Sequence, residues 1–203
     1  MAATAIQKRR TIPATSGKIR HISWDEFQNK YLTREDAYKY EWLNGEVEKT
    51  KRTMDYTQLF ILRNLLKVFR SLLATDKCDG ELMSEGDMFF VENHRRPDIF
   101  YLTDAQIART AYGENQVPEF VVEVISNNDQ MNPVHRKMQN YRAAGVKVVW
   151  HIFPKIEEIH IYTGENLDTM MVCRGEKMCS AAPVLPDFIV SAKDVFAKPP
   201  KPN

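Results

Sequence analysis

The sequence predicts an α/β fold in which helices flank a mixed β-sheet. Residues 119–125 form a segment that is apolar apart from Glu119 and Glu123, which is typical of a strand buried on both faces. A predicted helix at 133–144 and a second predicted strand at 146–153 follow it. Strand, helix and strand in succession imply a right-handed crossover between parallel strands, whereas the hairpins predicted elsewhere imply antiparallel neighbours. The sheet is therefore expected to contain both kinds of pairing.

The composition is that of a globular chain with a core of its own. The chain has 203 residues, of which 43% are hydrophobic and 27% are charged. No apolar run approaches the roughly 20 residues that a membrane helix needs, so no membrane contact is expected. The N-terminal charges are not followed by an apolar segment, and the three cysteines lack metal-ligand spacing. We therefore expect a cytoplasmic protein without a disulfide framework.

A single domain at 21–197 is predicted, with a tail at each end. Residues 1–20 carry five basic residues and no acidic one, although the net charge of the whole chain is only +1. Such a segment either lies against phosphate groups or is a solvated, flexible tail, and the second interpretation is favoured. Residues 198–203 are interpreted as a loose C-terminal tail.

The first elements are a short helix and a hairpin. Ser23-Trp24-Asp25-Glu26 has the form of a capping box, in which the serine hydroxyl accepts from an early amide of the helix that it starts. Residues 38–43 alternate and residues 46–50 return as a second strand. Asn44-Gly45 between them is typical of a type I′ turn, because both residues tolerate positive φ.

Two longer helices and the remaining strands complete the prediction. Apolar residues recur every three or four positions from Asp55 to about Thr75, which indicates an amphipathic helix that packs on the sheet. In the helix at 133–144, Pro133 suits the first turn, Asn132 the N-cap and Gly145 the C-terminal stop. The other predicted strands are 81–91, 98–102, 156–163 and 169–173, and a closing helix is predicted at 192–196.

Glu123 is the first candidate site residue, because it interrupts the apolar strand at 119–125. A buried carboxylate without a partner loses several kcal/mol of hydration, so something must bind it. A divalent cation is one candidate partner. An arginine such as Arg142 in a structural ion pair is the other, and the sequence favours neither.

Asp98 could share that cation. It follows Pro97 at the start of a predicted strand, where an aspartate more often serves only to form a turn. The backbone carbonyl of Val124 could point into the same space. Because magnesium usually keeps several waters, two carboxylates and one carbonyl would be a sufficient protein contribution.

Three further residues are candidates through their position. Lys137 lies near the start of the helix that follows the Glu123 strand, and Tyr141, four residues later, shares its face. A helical lysine is more often a solvated surface residue, but here the helix begins just beyond the carboxyl end of that strand. Glu46 alternates with Val47 in the hairpin and points either to the site or, as favoured, to solvent.

These residues resemble those of a known family. The likeness covers nearly the whole chain, and its specificity lies in the order and spacing of several weak motifs. The sequence resembles the PD-(D/E)XK nuclease superfamily and, within it, the Uma-type family of putative restriction endonucleases. The segments that carry the resemblance are residues 24–27, 40–47, Arg96-Pro97-Asp98, residues 118–129, Lys137, Tyr141, residues 144–146 and Val149-Trp150.

The resemblance implies a restriction-endonuclease-like core and a metal-dependent endonuclease that hydrolyses DNA. Asp98, Glu123 and the Val124 carbonyl would hold Mg²⁺ or Mn²⁺, and Glu46, which matches the family's hairpin acid, is a possible further ligand. Ile125 occupies the strand position at which the superfamily carries its lysine, so that Lys137 is the matching residue. RNA remains an alternative substrate, and a homodimer is a common arrangement for cutting two strands.

A rival interpretation is a non-catalytic nucleic-acid-binding or interaction module on the same fold. The near-neutral net charge and Ile125 at the lysine position favour it. Tyr56 stands where relatives commonly carry a histidine, and Asn132 stands where an acid is frequent. Calorimetry with Mn²⁺ distinguishes the two interpretations.

Overall fold

The computed structural model describes residues 21–51, 56–125 and 131–201. The helices are α1 Trp24–Phe27, α2 Tyr56–Leu73, α3 Asp104–Thr110, α4 Met131–Ala143 and α5 Ala192–Phe196, and a π-helical segment, Gln28–Leu32, extends α1. The strands are β1 Tyr38–Leu43, β2 Glu46–Lys51, β3 Glu81–Ser84, β4 Met88–Phe90, β5 Asn93–Arg95, β6 Ile99–Leu102, β7 Phe120–Val124, β8 Val148–Phe153, β9 Glu158–Thr163, β10 Thr169–Arg174, β11 Met178–Ala181 and β12 Leu185–Ser191.

A mixed six-stranded sheet forms the centre of the molecule. Its strand order is β10-β9-β8-β7-β6-β3. The neighbours β7 and β8 are parallel and lie on either side of α4 in the sequence, while the other pairs are antiparallel. All five residues of β7 are buried, including Glu123, the one charged residue of an otherwise apolar strand. The predicted α/β fold with a central mixed sheet is therefore confirmed.

The two faces of this sheet have separate apolar cores. Side chains that alternate along β7 and β8, such as Val122 and Trp150, pack with α2, α5 and the small sheet β11-β12. The opposite set, such as Val121 and Val149, packs with Met138 and Tyr141 of α4. Glu123 belongs by alternation to the second face, so that it points towards α4.

The predicted hairpin is present and belongs to a second, four-stranded sheet of order β2-β1-β5-β4. Asn44 and Gly45 have φ values of 45° and 87°, as a type I′ turn demands. Ser23 caps α1 by accepting from the Glu26 amide. Trp24 and Phe27 then pack against the ring of the buried His94. These contacts pack α1 on the hairpin sheet, to which His94 of β5 belongs.

Several boundaries differ from the prediction. The segment predicted as one strand at 81–91 is two strands in different sheets, because Glu85 has a φ of 51° and the chain bends there. A Cβ at Gly86 would lie 2.6 Å from Phe100 Cζ, so this bend needs glycine. The sequence analysis also missed α3, β5, β11 and β12, which are short elements with little periodicity.

The start of α4 also differs. It begins at Met131, so that Asn132 lies inside the helix rather than at its N-cap. Residues 1–20, 52–55, 126–130 and 202–203 lie outside the described residues, and with them the predicted basic tail, the predicted helix start at Asp55 and part of the motif at 118–129. Among the described helices, none is long and apolar enough to cross a membrane.

Candidate active site

Asp98 and Glu123 meet at the ends of neighbouring strands. Ile99 of β6 pairs with Val122 of β7 in an antiparallel ladder, so one step further places Asp98 beside Glu123. Asp98 Oδ2 accepts a hydrogen bond of 2.8 Å from the backbone N–H of Val124. Asp98 Oδ1 lies 3.1 Å from Nζ of Lys39 on β1. Asp98 thus belongs to a charged cluster with Lys39 and Glu123.

Glu123 is bound by two side chains from α4. Its side chain is only 4% exposed, and its Oε2 lies 2.9 Å from Nζ of Lys137. Its Oε1 accepts a hydrogen bond from the hydroxyl group of Tyr141. Residues four apart on a helix share a face, which lets both reach one carboxylate. Arg142, the alternative partner, is instead exposed.

A third carboxylate, Glu41 of β1, completes the cluster, and the sequence analysis missed it. Glu41 is 2% exposed and its Oε1 accepts from the backbone N–H of Arg96 at 2.8 Å. Its Oε2 lies 3.2 Å from Nη1 of Arg95 and 3.8 Å from Nζ of Lys137. Glu41 could have been found from the alternation of β1, which places Lys39 and Glu41 on one face of the strand and three aromatic rings on the other.

Arg95 joins the hairpin to α4. Its guanidinium group is completely buried and contacts Glu41, Glu48 of β2 at 2.7 Å and the side-chain oxygen of Asn140 at 3.0 and 2.6 Å. Five donors in a rigid fork allow one arginine to hold several acceptors. No sequence pattern indicated Arg95, apart from its place immediately before the Arg-Pro-Asp motif.

Glu46 lies away from the Asp98–Glu123 cluster. It is on the same face of β2 as Glu48 but two residues nearer the turn, about 7 Å along the strand. Its carboxylate lies 3.7 Å from Nη1 of Arg136 and 4.0 Å from Nε2 of His21. Of the three hairpin acids, Glu41 contacts Lys137, Glu46 contacts Arg136, and Glu48 contacts both Arg95 and Arg136.

The charges of the cluster shift one another's pKa values. Burial raises the pKa of Glu123, and the charge of Asp98 adds to this, against the attraction of Lys137. Burial would also raise the pKa of Glu41, but Lys137, Lys39 and Arg95 lower it to about 2. Burial opposes the charged form of Lys137, but the three carboxylates outweigh it and raise the pKa of the ammonium group. Lys137 and Glu41 therefore both stay charged at neutral pH.

The donor set matches a hard divalent cation. Carboxylate and carbonyl oxygens are the ligands that Mg²⁺ and Mn²⁺ prefer. Within the described ranges, however, no three His, Cys, Asp or Glu side chains are arranged to hold a metal ion. The ammonium groups of Lys39 and Lys137 contact the carboxylates instead. A cation at these acids would therefore compete with the two lysines for the carboxylate oxygens.

Comparisons with known proteins agree with this architecture. The family model Uma2, described as a putative restriction endonuclease, matches residues 24–193. The structure is similar to the crystal structure of a putative nuclease belonging to DUF820 from Anabaena variabilis ATCC 29413, with a TM-score of 0.71 and 18% identity over 86% of this chain and 97% of that one. No curated protein gives a significant match. The match to the family model covers most of the sequence, and the chain accordingly belongs to the Uma2 family of putative restriction endonucleases.

Proposed function

We propose that the protein is a metal-dependent endonuclease that hydrolyses phosphodiester bonds of DNA. The observation that carries the proposal is the contact of 2.9 Å between Lys137 and Glu123, in a cluster with Asp98 and Glu41. Carboxylates that can bind a metal ion, with a lysine beside them, are the groups that metal-assisted cleavage of a phosphodiester needs. Membership of the family supports nuclease activity, and the metal dependence and the DNA substrate are our own inference.

Asp98, Glu123 and the Val124 carbonyl are the groups that we assign to a Mg²⁺ or Mn²⁺ ion. Such an ion, when bound, polarises the scissile phosphate and lowers the pKa of a water molecule. Glu46 is left out of the ligand set because it lies beside the hairpin turn, where its charged neighbour is Arg136 and not Lys137. The protein would thus supply three oxygen ligands from its described residues, and water and substrate would supply the others, as is usual for magnesium.

Lys137 would act as a cation and not as a base. In the metal-free protein the surrounding carboxylates outweigh burial and raise the pKa of Lys137, so its ammonium group keeps its proton at neutral pH. A fixed ammonium group can orient the attacking water or bind the negative charge that develops on the phosphate, an effect of about 3 kcal/mol. Tyr141 donates to Glu123 and so holds that carboxylate in position. Glu41 holds Lys137 from the opposite side.

The test is cleavage of supercoiled plasmid by the purified full chain with Mg²⁺ or Mn²⁺, with and without a chelator. Nicking is expected only with metal, and Asp98→Asn and Glu123→Gln should abolish it. Asp187→Asn is the matched control, because Asp187 is half exposed and pairs with Lys77 at 3.3 Å, far from the cluster in sequence. A folded protein that cuts neither DNA nor RNA with either ion would contradict the proposal.

One observation favours the non-catalytic alternative, a nucleic-acid-binding module on the same fold. In the part of the chain that is described, the acids are already neutralised by Lys39, Lys137 and Arg95. Calorimetry with Mn²⁺ separates the two cases, since a binding module without a metal site gives no heat.

Our proposal also includes a cytoplasmic location and a homodimer that cuts both strands. Sedimentation of the purified chain tests the homodimer directly.

A further inference from the structure

Lys39 is a second lysine in the acidic cluster. It lies on β1, two residues before Glu41, and its side chain is only 11% exposed. Its Nζ lies 3.1 Å from Asp98 Oδ1 and donates a hydrogen bond to it. Because its side chain is largely buried, the ammonium group of Lys39 has a position that is set by the fold, unlike that of a mobile surface lysine.

The two carboxylate oxygens of Asp98 differ in how easily a bound cation could displace their hydrogen-bond donors. Oδ2 accepts from the backbone N–H of Val124, and this donor cannot leave without breaking the end of β7. Oδ1 is bound by Lys39, whose four-carbon stem is flexible. A cation that binds Asp98 through its open side therefore competes with Lys39 and not with Val124.

Lys137 and Lys39 respond differently to such competition. Lys137 contacts two acids, Glu123 and Glu41, and keeps one of them if the other turns to a metal. Among the described residues, Lys39 has an ion pair within 4.0 Å with Asp98 alone. Asp87, which pairs with Arg96 at 3.0 Å, is close enough for the charge of Lys39 to act on it and could receive the released ammonium group.

We propose that Lys39 is a built-in counter-ion that occupies the cation side of Asp98 in the metal-free protein and is displaced when a divalent cation binds. This inference rests on the proposed metal site at Asp98 and assigns a role to a residue outside the ligand set. Lys39 keeps the carboxylate compensated without metal, which avoids leaving a partly buried charge unpaired. The consequence is a weakened affinity for the cation, since each binding event must first break the Lys39 ion pair.

The test is calorimetric titration of Mn²⁺ into four purified full chains: the wild type, Lys39→Gln, Lys39→Arg and Lys49→Gln. Lys39→Gln should bind Mn²⁺ at least ten-fold more tightly than the wild type, because the competitor is gone. Lys39→Arg keeps the competing charge and should stay within about three-fold of the wild type. Lys49→Gln is the matched control, since Lys49 belongs to the same hairpin but lies 3.6 Å over the Tyr38 ring.

A second measurement needs no variant. Lys39 should react slowly with a water-soluble acetylating reagent in the metal-free wild type and several-fold faster when Mg²⁺ is present, whereas the reactivity of Lys49 should not change. Mass spectrometry of the digested protein reads both lysines in one sample. This measurement decides the question even if Lys39→Gln fails to fold.

The outcomes separate this inference from the proposed function. If the wild type binds Mn²⁺ and Lys39→Gln binds it no more tightly than Lys49→Gln, the metal site stands and the role of Lys39 is overturned. If none of the folded proteins gives heat with Mn²⁺, both the metal site and the role of Lys39 are overturned. Unchanged acetylation of Lys39 on addition of saturating Mg²⁺ also contradicts the displacement.

Discussion

Lys137 reaches Glu123 from the helix that follows its strand, with Nζ 2.9 Å from Glu123 Oε2. The same ammonium group lies 3.8 Å from Glu41, so one lysine connects an acid of the central sheet with an acid of the hairpin sheet. In our proposal Lys137 supplies from α4 the ammonium group that the superfamily places two residues after the second acid, where this chain has Ile125. In our proposal this lysine carries the charge that faces the substrate.

Lys137→Met should slow DNA cleavage about 100-fold, which corresponds to the roughly 3 kcal/mol expected from a preorganised cation. The affinity for Mn²⁺ should not fall, because the variant removes a positive charge from beside Glu123. Cleavage kinetics and calorimetry on the same preparation measure both effects. Lys147→Met, which removes an exposed ion pair with Glu119, is the control and should cleave like the wild type. Equal losses in the two variants would contradict a specific role for Lys137.

Arg95→Met should destabilise the protein by about 3–5 kcal/mol. The variant removes the guanidinium group that binds both Glu41 and Glu48. Glu41 then keeps only the longer contact with Lys137 and Glu48 keeps Arg136, and removing one partner of a buried charge network is costly. Urea unfolding followed by circular dichroism measures the change. Arg174→Met is the comparison, because Arg174 pairs with Glu158 while 69% exposed, and its loss should cost less than about 1 kcal/mol.

The main elements of the fold were predictable because their signals are local. The apolar β7, the Asn44-Gly45 turn and the helical periodicity before Thr75 each depend on residues close together in sequence. The bend at Gly86 was not predictable, since it depends on the ring of Phe100 across the sheet. Short elements such as α3 carry too few residues for a period to be visible, although Thr103 and Gln106 do form a capping box there.

The candidate site was predictable to the extent that its residues are close in sequence. Glu123, Lys137 and Tyr141 lie on consecutive elements, and they contact one another as their spacing indicated. Glu41 was missed because its side-chain partner Arg95 is 54 residues away, and no local pattern reveals such a pair. The turn at Asn44-Gly45 had indicated Glu46 instead, which lies on the same face of β2 as Glu48 and contacts Arg136.

Tyr141→Phe should cost about 1–3 kcal/mol of stability and only a few-fold in cleavage rate. The hydroxyl group donates to a buried carboxylate, and its removal leaves Glu123 Oε1 without that donor. Thermal unfolding and cleavage kinetics test the two parts of the prediction. Tyr112→Phe is the matched control, because Tyr112 is 87% exposed. A loss of cleavage as large as that of Lys137→Met would instead mean that Tyr141 takes part in the chemical step.

Asp87 should make the free energy of unfolding of the protein depend on pH in the acidic range. Burial would raise the pKa of Asp87, but the hydrogen bond with His94 and the charge of Arg96 lower it below its ordinary value of 3.8. Between the folded and the ordinary pKa the unfolded chain binds more protons, so this contribution to stability is complete above the ordinary pKa. It is lost as the pH falls through the folded pKa.

Asp87→Asn should therefore lower the free energy of unfolding at pH 7 by about 1 kcal/mol, a modest value because the side chain is 44% exposed and solvent screens its charge. The difference from the wild type should shrink as the pH falls below the ordinary pKa, because the wild-type carboxylate is then protonated as well. Urea unfolding at neutral and at acidic pH measures this convergence. Asp187→Asn, which removes an exposed ion pair, should show a smaller difference at every pH, and a constant gap for Asp87→Asn would contradict the assignment of the acid dependence to Asp87.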